Sequence, residues 1–182
     1  MRMLDLFSGR GGASRAFKAR GWDVVRVELD ERFNTLFDPA IVADITTLDP
    51  TGLGQFDMVW ASPPCQEFSK HGMRMFYPNP PEPSLDCVNA VKRIVDVLRP
   101  RFWILENVRA AQAWLGPARQ HAGSFYLWGD FPLMEDPPRC VKGIKRTHRG
   151  TYVRRADLRA EIPEALSLAL CAAIEKELAP LF

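Results

Sequence analysis

The stretch Met3-Leu4-Asp5-Leu6-Phe7-Ser8-Gly9-Arg10-Gly11-Gly12 decides the fold. Its short apolar run, Met3–Phe7, is broken only by Asp5 and ends in a serine and three glycines. That is the pattern of a buried strand running into a glycine turn. Ala13–Arg20 reads as the helix that follows, with Gly21 placed to stop it. Working outward, Asp23–Leu29 is a valine-rich second strand, and a short helix is expected over Glu31–Phe37. Ile41–Ala43 is a brief third strand that ends at Asp44. Phe56–Ala61 is a fourth, ended by Ser62-Pro63-Pro64, and Phe102–Leu105 is a fifth, ended by Glu106-Asn107. Between the last two, Leu85, Val88, Val91, Ile94, Val95 and Leu98 share one helical face, with Ser84 as N-cap and Pro100 as the stop. Strands alternating with helices at this spacing predict an α/β fold with a doubly wound, mostly parallel sheet.

Composition supports one domain. The chain has 182 residues, 47% hydrophobic and 25% charged, with 24 Lys and Arg against 22 Asp and Glu for a net charge of +2. At this length a single domain buries about 70% of the surface of its unfolded chain, enough for a core without staples. No apolar run approaches the roughly 20 residues that span a bilayer. The N-terminus, with Asp5 in its apolar run, does not read as a secretory signal. Cys65, Cys87, Cys140 and Cys171 form no Cys-x-x-Cys pair, and His71, His121 and His148 are scattered, so neither a metal site nor a disulfide framework is expected. The reading is a cytoplasmic protein with reduced thiols.

Past Val108 the pattern weakens. Ser124–Trp128 suits a strand, Pro132–Gly150 a loop, and Glu164–Leu178 a final helix with Leu166, Leu170, Ala173, Ile174 and Leu178 facing inward. Arg139 to Arg159 holds eight Arg or Lys residues and one acid, Asp157, a patch fit for a phosphate backbone or a solvated basic loop. Trp114, Phe125, Tyr126 and Trp128 offer stacking faces for single-stranded bases, with core packing as the competing role. No periodicity marks Cys65–Pro83, which is expected to be a functional loop or a disordered one.

Ligands of an open parallel sheet bind beyond the carboxyl ends of its strands, and the suspicious residues stand there. Ser8, Gly9, Gly11 and Gly12 allow close backbone approach and lead into a helix N-terminus, which suits an anionic group. Glu28, 16 residues after Gly12, is placed to accept both hydroxyls of a ribose, and Asp44 to accept an adenine amino proton. Phe7 offers an apolar face for the adenine. This set fits a nucleoside-containing cofactor. In Ala61-Ser62-Pro63-Pro64-Cys65-Gln66, two prolines fix the backbone and leave Cys65 at the strand tip. A thiolate there suits addition to an electron-poor ring. Glu106, ending the neighbouring strand, is placed to hold a ring nitrogen as the ring is attacked. Cys87, Cys140 and Cys171 read as structural cysteines.

In order and near-family spacing, these motifs resemble the cytosine-C5 DNA methyltransferase family over about residues 3–108. The resemblance implies a Rossmann-like S-adenosylmethionine-dependent methyltransferase fold. It implies cofactor contacts from Phe7, Ser8, Gly9, Gly11, Gly12, Glu28, Asp44, Ile45 and Pro63, with Cys65 as nucleophile on cytosine C6 and Glu106 on N3 and the exocyclic amine. Gln66, Ser69 and Asn107 would face the substrate. The loop after Cys65, through Pro83, would close as a lid over a base taken out of the duplex. Amino-group methyltransferases follow their Pro-Pro turn with an aromatic residue, so Cys65 favours ring-carbon chemistry.

The second half departs from the family. No Gln-x-Arg-x-Arg motif occurs, which leaves Arg146 and Arg149 as candidates for its arginine. Arg159-Ala160-Glu161-Ile162-Pro163 stands where the late Gly-Asn motif would be. Only 54 residues (109–162) separate Val108 from Pro163, too few for a separate target-recognition domain. Gly123-Ser124-Phe125-Tyr126-Leu127-Trp128-Gly129-Asp130-Phe131-Pro132 resembles short phage-type members. The organisation read is a single domain over 1–182: a cofactor and catalytic core (1–108), a divergent substrate-facing region (109–162) and a C-terminal helix packed on the core (163–182). The implied reaction is methylation of DNA, duplex or single-stranded, in a bacterial or phage-infected cell, with either low sequence specificity or a partner subunit that supplies target recognition. The same chemistry on RNA or a free cytosine nucleotide, and a catalytically degenerate binding module, are the alternatives.

Overall fold

Alternation along the first strand sends its side chains into two cores. Residues 1–35, 38–141 and 161–179 are described by the computed structural model. Strands β1 (Arg2–Leu6), β2 (Asp23–Glu28), β3 (Ile41–Val42), β4 (Met58–Ala61), β5 (Phe102–Asn107), β6 (Gln120–Ala122) and β7 (Phe125–Asp130) form one sheet, in the order β3-β2-β1-β4-β5-β7-β6. Strands β1 to β5 pair in parallel, β7 is antiparallel to β5, and β6 is antiparallel to β7. Only β7 therefore opposes the rest, and the sheet is mostly parallel as read.

Met3, Met58, Trp60 and Ile104 face one layer, where they meet Phe17 and Trp22 around α1 (Arg15–Ala19) and Leu166, Leu170 and Ile174 of α5 (Glu164–Leu178). Leu4, Leu6, Val59, Ala61 and Leu105 face the other, against Phe68 of α2 (Gln66–Gly72) and Val88, Val91 and Ile94 of α3 (Asp86–Leu98). These strand residues are buried on both faces, which is why they read as apolar runs. A fourth short helix, α4 (Gln112–Leu115), follows a 3-10 turn at Arg109–Ala111. Helix α5 is fastened to α1: Ser167 Oγ donates to the Ala13 carbonyl at 2.5 Å, and the Arg20 guanidinium pairs with Glu175 at 2.7 Å.

Several boundaries differ from the sequence reading. The first helix begins at Arg15 rather than Ala13, because residues 8–14 are turns and the Ser14 hydroxyl donates to Asp5 instead of capping a helix. Of the described residues in the stretch read as a helix after β2, Glu31–Phe33 are helical, as a single 3-10 turn. Helix α2 occupies the start of the stretch read as a loop. Its one buried residue is Phe68, so no apolar stripe announces it. Ser84 accepts from the Asp86 N–H through its hydroxyl at 3.1 Å, and Arg99, at φ 46°, closes α3 just before Pro100. Of Ser124–Trp128, Phe125 onward falls on β7, the inner strand of a hairpin with β6. Helix α5 spans the residues read for it. No helix among the described residues is long and apolar enough to cross a membrane.

Candidate active site

At the end of β1 the backbone takes three left-handed residues in five: Phe7 (φ 56°), Gly9 (φ 48°) and Gly11 (φ 70°). Glycine adopts this conformation freely, whereas Phe7 does so at a cost that the surrounding bonds must hold in place. The turn's N–H groups find acceptors within the protein: Ser8 donates to the Val27 carbonyl at 3.2 Å, Gly9 to the Glu28 carboxylate at 2.7 Å and Gly11 to the Ser8 carbonyl at 2.8 Å. Two neighbours keep the turn tight. A Cβ on Gly12 would stand 2.5 Å from the Ile162 carbonyl oxygen, and one on Gly11 would stand 3.3 Å from Arg26 Nε and Asp38 Oδ2. The chain before α5 thus closes over the glycine turn, with Glu161 paired to Arg15 at 2.8 Å. Within the turn Ser8 is buried, and its Oγ has no hydrogen-bond partner among the described residues.

Glu28, at the end of β2, faces this turn. Its carboxylate accepts from the Gly9 N–H at 2.7 Å, and from the Leu29 and Asp30 N–H groups at 2.9 and 3.1 Å. Leu29 beside it is 64% exposed, an apolar face at the mouth of the turn that the sequence reading missed. Asp44 is exposed just past β3. Thr46 donates to it from hydroxyl and backbone, holding its carboxyl below the usual range, so it stands as an ionised acceptor. Ile45 is buried and Phe7 half-buried between the buried Leu6 and Ser8.

The Pro-Pro turn leaves β4. Pro63 is buried, Pro64 exposed, and Cys65 half-buried as the residue before α2. Asn107 ties this turn to the next strand: its side-chain amide donates to the Pro63 carbonyl at 3.2 Å, while its amide oxygen accepts from the Val108 N–H at 2.9 Å. Asn107 is fully buried, so its side chain serves as a brace of the turn rather than as an open surface. Glu106 precedes it on β5 and is also buried. In the β4–β5 register Ala61 stands beside Leu105, so Glu106 lies near the end of β5 while Cys65 lies just past the end of the adjoining β4. Gln66 is exposed and Ser69 half-buried along α2.

The model of the C-5 cytosine-specific DNA methylase family matches residues 1–113, which hold every one of these groups except the covering Glu161 and Ile162. The chain belongs to that family. The type II methyltransferase M.DdeI of Desulfomicrobium norvegicum is 33% identical over 132 residues, 66% of this chain and 31% of that protein. A probable DNA (cytosine-5)-methyltransferase of Frog virus 3 (isolate Goorha) is 45% identical over 73 residues, 38% of this chain and 31% of that one. The chain thus spans about a third of the length of these two relatives. In fold it is similar to the Entamoeba histolytica methyltransferase EhMeth, with a TM-score of 0.52 at 16% identity, over 75% of this chain and 54% of that one.

Burial pushes the Cys87 and Cys140 thiols up and Cys171 up to about 12, which keeps all three as neutral thiols. Phe125 and Trp128 are core residues, the latter donating to the Gly116 carbonyl at 2.9 Å. Tyr126 stacks on His121 at 5.0 Å, and Trp114 lies edge-on to His71 at 4.6 Å. The exposed aromatics are others: Phe76 at 75% and Tyr77 at 43%, beside Met75 at 90%, on the loop after α2. Arg146, Arg149 and most of the basic stretch lie outside the described residues. A cavity of about 370 Å³ lined by Asp96, Arg99, Trp103 and Asp130 lies at the opposite end of β5, away from these groups.

Proposed function

We propose that the chain methylates C5 of cytosine in DNA, using S-adenosylmethionine. The observation that carries this is one juxtaposition: Cys65 on a braced Pro-Pro turn beside the strand that ends in Glu106, in the same row of strand ends as the glycine turn and Glu28. The cofactor fit rests on the Phe7–Gly12 turn, whose glycines leave no room for a Cβ at Gly12, and on the buried, unpartnered Ser8 hydroxyl within it. Glu28 would hold the ribose hydroxyls, Asp44 the adenine amino group, Phe7 and Leu29 the adenine faces, and the Ser8 hydroxyl the carboxylate. Ile45 and Pro63 would line the pocket. When bound, the cofactor supplies an electrophilic methyl on sulfur.

The chain's own residues do the rest. Cys65 as thiolate adds to cytosine C6, and the electron pair so released makes C5 nucleophilic enough to take the methyl. Glu106 hydrogen-bonds N3 and the exocyclic amine, which steadies the charge that develops in the ring. Loss of the C5 proton and expulsion of the Cys65 thiolate then restore the aromatic ring. Asn107 contributes by fixing Pro63 and hence the approach of Cys65, since small displacements of a nucleophile are costly. Gln66 and Ser69 lie on α2 toward the target, and the exposed Met75–Tyr77 tip covers it.

Residues 1–108 would form this core, 109–162 the substrate-facing part, and 163–182 the closing helix. With 54 residues between Val108 and Pro163, base readout would draw on a partner as well as on this chain. The test is transfer of labelled methyl to duplex DNA, single-stranded DNA, tRNA and dCMP, with Cys65→Ala alongside. Label on cytosine C5 of DNA, lost in the variant, supports the proposal. Label confined to tRNA or dCMP would move the substrate, and label that survives Cys65→Ala would overturn the mechanism.

A further inference from the structure

Arg26 belongs to none of the motifs that mark the site. It lies on β2 two residues before Glu28, so both side chains leave the same face of the strand, and it is paired in register with Asp5 of β1. Its side chain is 4% exposed. The guanidinium reaches in two directions. Nη2 donates to the Gly9 carbonyl at 2.5 Å, while Nη1 donates to the Asp38 carbonyl at 3.0 Å and to the Asp38 carboxylate. Asp38 is held in turn by Lys18 Nζ at 2.9 Å.

Strand β2 therefore grips Gly9 twice, through its N–H with Glu28 and through its carbonyl with Arg26. The two grips differ in kind. Glu28 is half-buried at the mouth of the turn, and a ribose that takes its carboxylate must compete with the Gly9 N–H. Arg26 is buried beneath the turn, where no ligand competes with it. We propose that Arg26 is a positioning residue of the cofactor pocket, the clamp that keeps the Gly9 turn in shape while Glu28 exchanges the Gly9 N–H for the ribose hydroxyls. This rests on reading Glu28 as the ribose ligand.

Two further observations fit the assignment. Gly11 is the residue that packs on the Arg26 guanidinium, where a Cβ would come within 3.3 Å of Nε, so the clamp and the glycine are matched. Acceptors in two directions also call for a planar fork of donors, which lysine cannot supply from one nitrogen. Arg26→Lys keeps the buried charge and one partner but gives up the second direction.

The experiment is calorimetric titration of the whole chain with S-adenosylmethionine, with thermal unfolding on the same samples, for wild type, Arg26→Lys and Asp38→Asn. Asp38→Asn loosens the clamp without removing it, and serves if Arg26→Lys does not fold. The expected result is a folded Arg26→Lys whose cofactor Kd is raised about tenfold, the loss of one charge-assisted hydrogen bond. Its KM for the cofactor should rise by the same factor while kcat falls less than about threefold. Asp38→Asn should raise Kd by about threefold. Variants that bind as tightly as a binding wild type would overturn the clamp alone, as would affinity lost only in step with the folded fraction. A folded wild type that binds no cofactor would overturn the reading of Glu28 and the clamp with it.

Discussion

The cofactor turn and the cysteine loop solve opposite problems. Phe7–Gly12 is held along its backbone: Gly9 on both sides, the Gly11 N–H by the Ser8 carbonyl at 2.8 Å, and Gly12 beneath Ile162. The segment after Cys65 is fixed only at its roots. Asn107 holds Pro63, Glu67 accepts from the Ser84 N–H at 2.6 Å, His71 bonds the Pro81 carbonyl at 3.0 Å, and Trp114 donates to Glu82 at 2.8 Å. Between those anchors Met75, Phe76 and Tyr77 project into solvent. The difference teaches where each kind of recognition sits. A cofactor of one shape is met by a preformed backbone, and a base arriving on a long polymer by a side-chain-rich tip on firm footings.

The sharpest break comes at the nucleophile. Cys65→Ala should abolish methyl transfer by at least about 10³-fold while leaving cofactor affinity intact, since the thiol touches only the base. Equal residual rates in a labelled-methyl assay would contradict that division. Next, Gly12→Ala drives a Cβ into the Ile162 carbonyl, and should cost about 1–3 kcal/mol of stability along with cofactor binding. Denaturant unfolding and calorimetry measure both. Asn107→Ala frees the Pro63 carbonyl inside the protein at a similar cost of about 1–3 kcal/mol, but here kcat should fall and cofactor Kd hold. A variant that lost cofactor binding instead would merge the two regions.

Asp5 adds a pH signature to the rigid region. Burial raises its carboxyl to about 7 despite the Ser14 hydroxyl and Arg26, which act the other way more weakly. In the unfolded chain it titrates at about 3.9. Between those values the unfolded chain has released a proton that the folded one retains, so stability falls as pH rises from about 4 through 7. Asp5→Asn should flatten that part of the melting profile. The smallest effect belongs to the tip: Met75→Ser with Phe76→Ser should change stability by no more than about 0.5 kcal/mol, because both side chains already face water. The same pair should weaken DNA binding, readable by fluorescence anisotropy.

Much of this was legible in the residues. The strands β1 to β5 follow from apolar runs ending in polar residues, and Glu28, Cys65 and Glu106 stand out in the sequence because each lies at or just past the end of such a run. What stayed hidden has physical reasons. Helix α2 buries one residue, so it carries no stripe to read. Asp5 and Arg26 look like interruptions of apolar strands, and only the parallel register makes them neighbours under the glycine turn. Asn107 looks like a substrate contact until the β4 turn is seen to need its amide. The aromatics divide by exposure, which side-chain type alone does not give: Phe125 and Trp128 go to the core, Phe76 to the surface.

The central claim is that Cys65 bonds covalently to the cytosine ring, and one measurement reaches it directly. The whole chain would be incubated with S-adenosylmethionine and DNA carrying 5-fluorocytosine, then digested and read by mass spectrometry. Fluorine at C5 cannot leave as a proton does, so the ring, once attacked and methylated, stays on the sulfur. A methylated fluorocytosine adduct on the peptide containing Cys65, absent in Cys65→Ala, is the predicted result. Unmodified Cys65 in a chain that still methylates ordinary cytosine at C5 would contradict it.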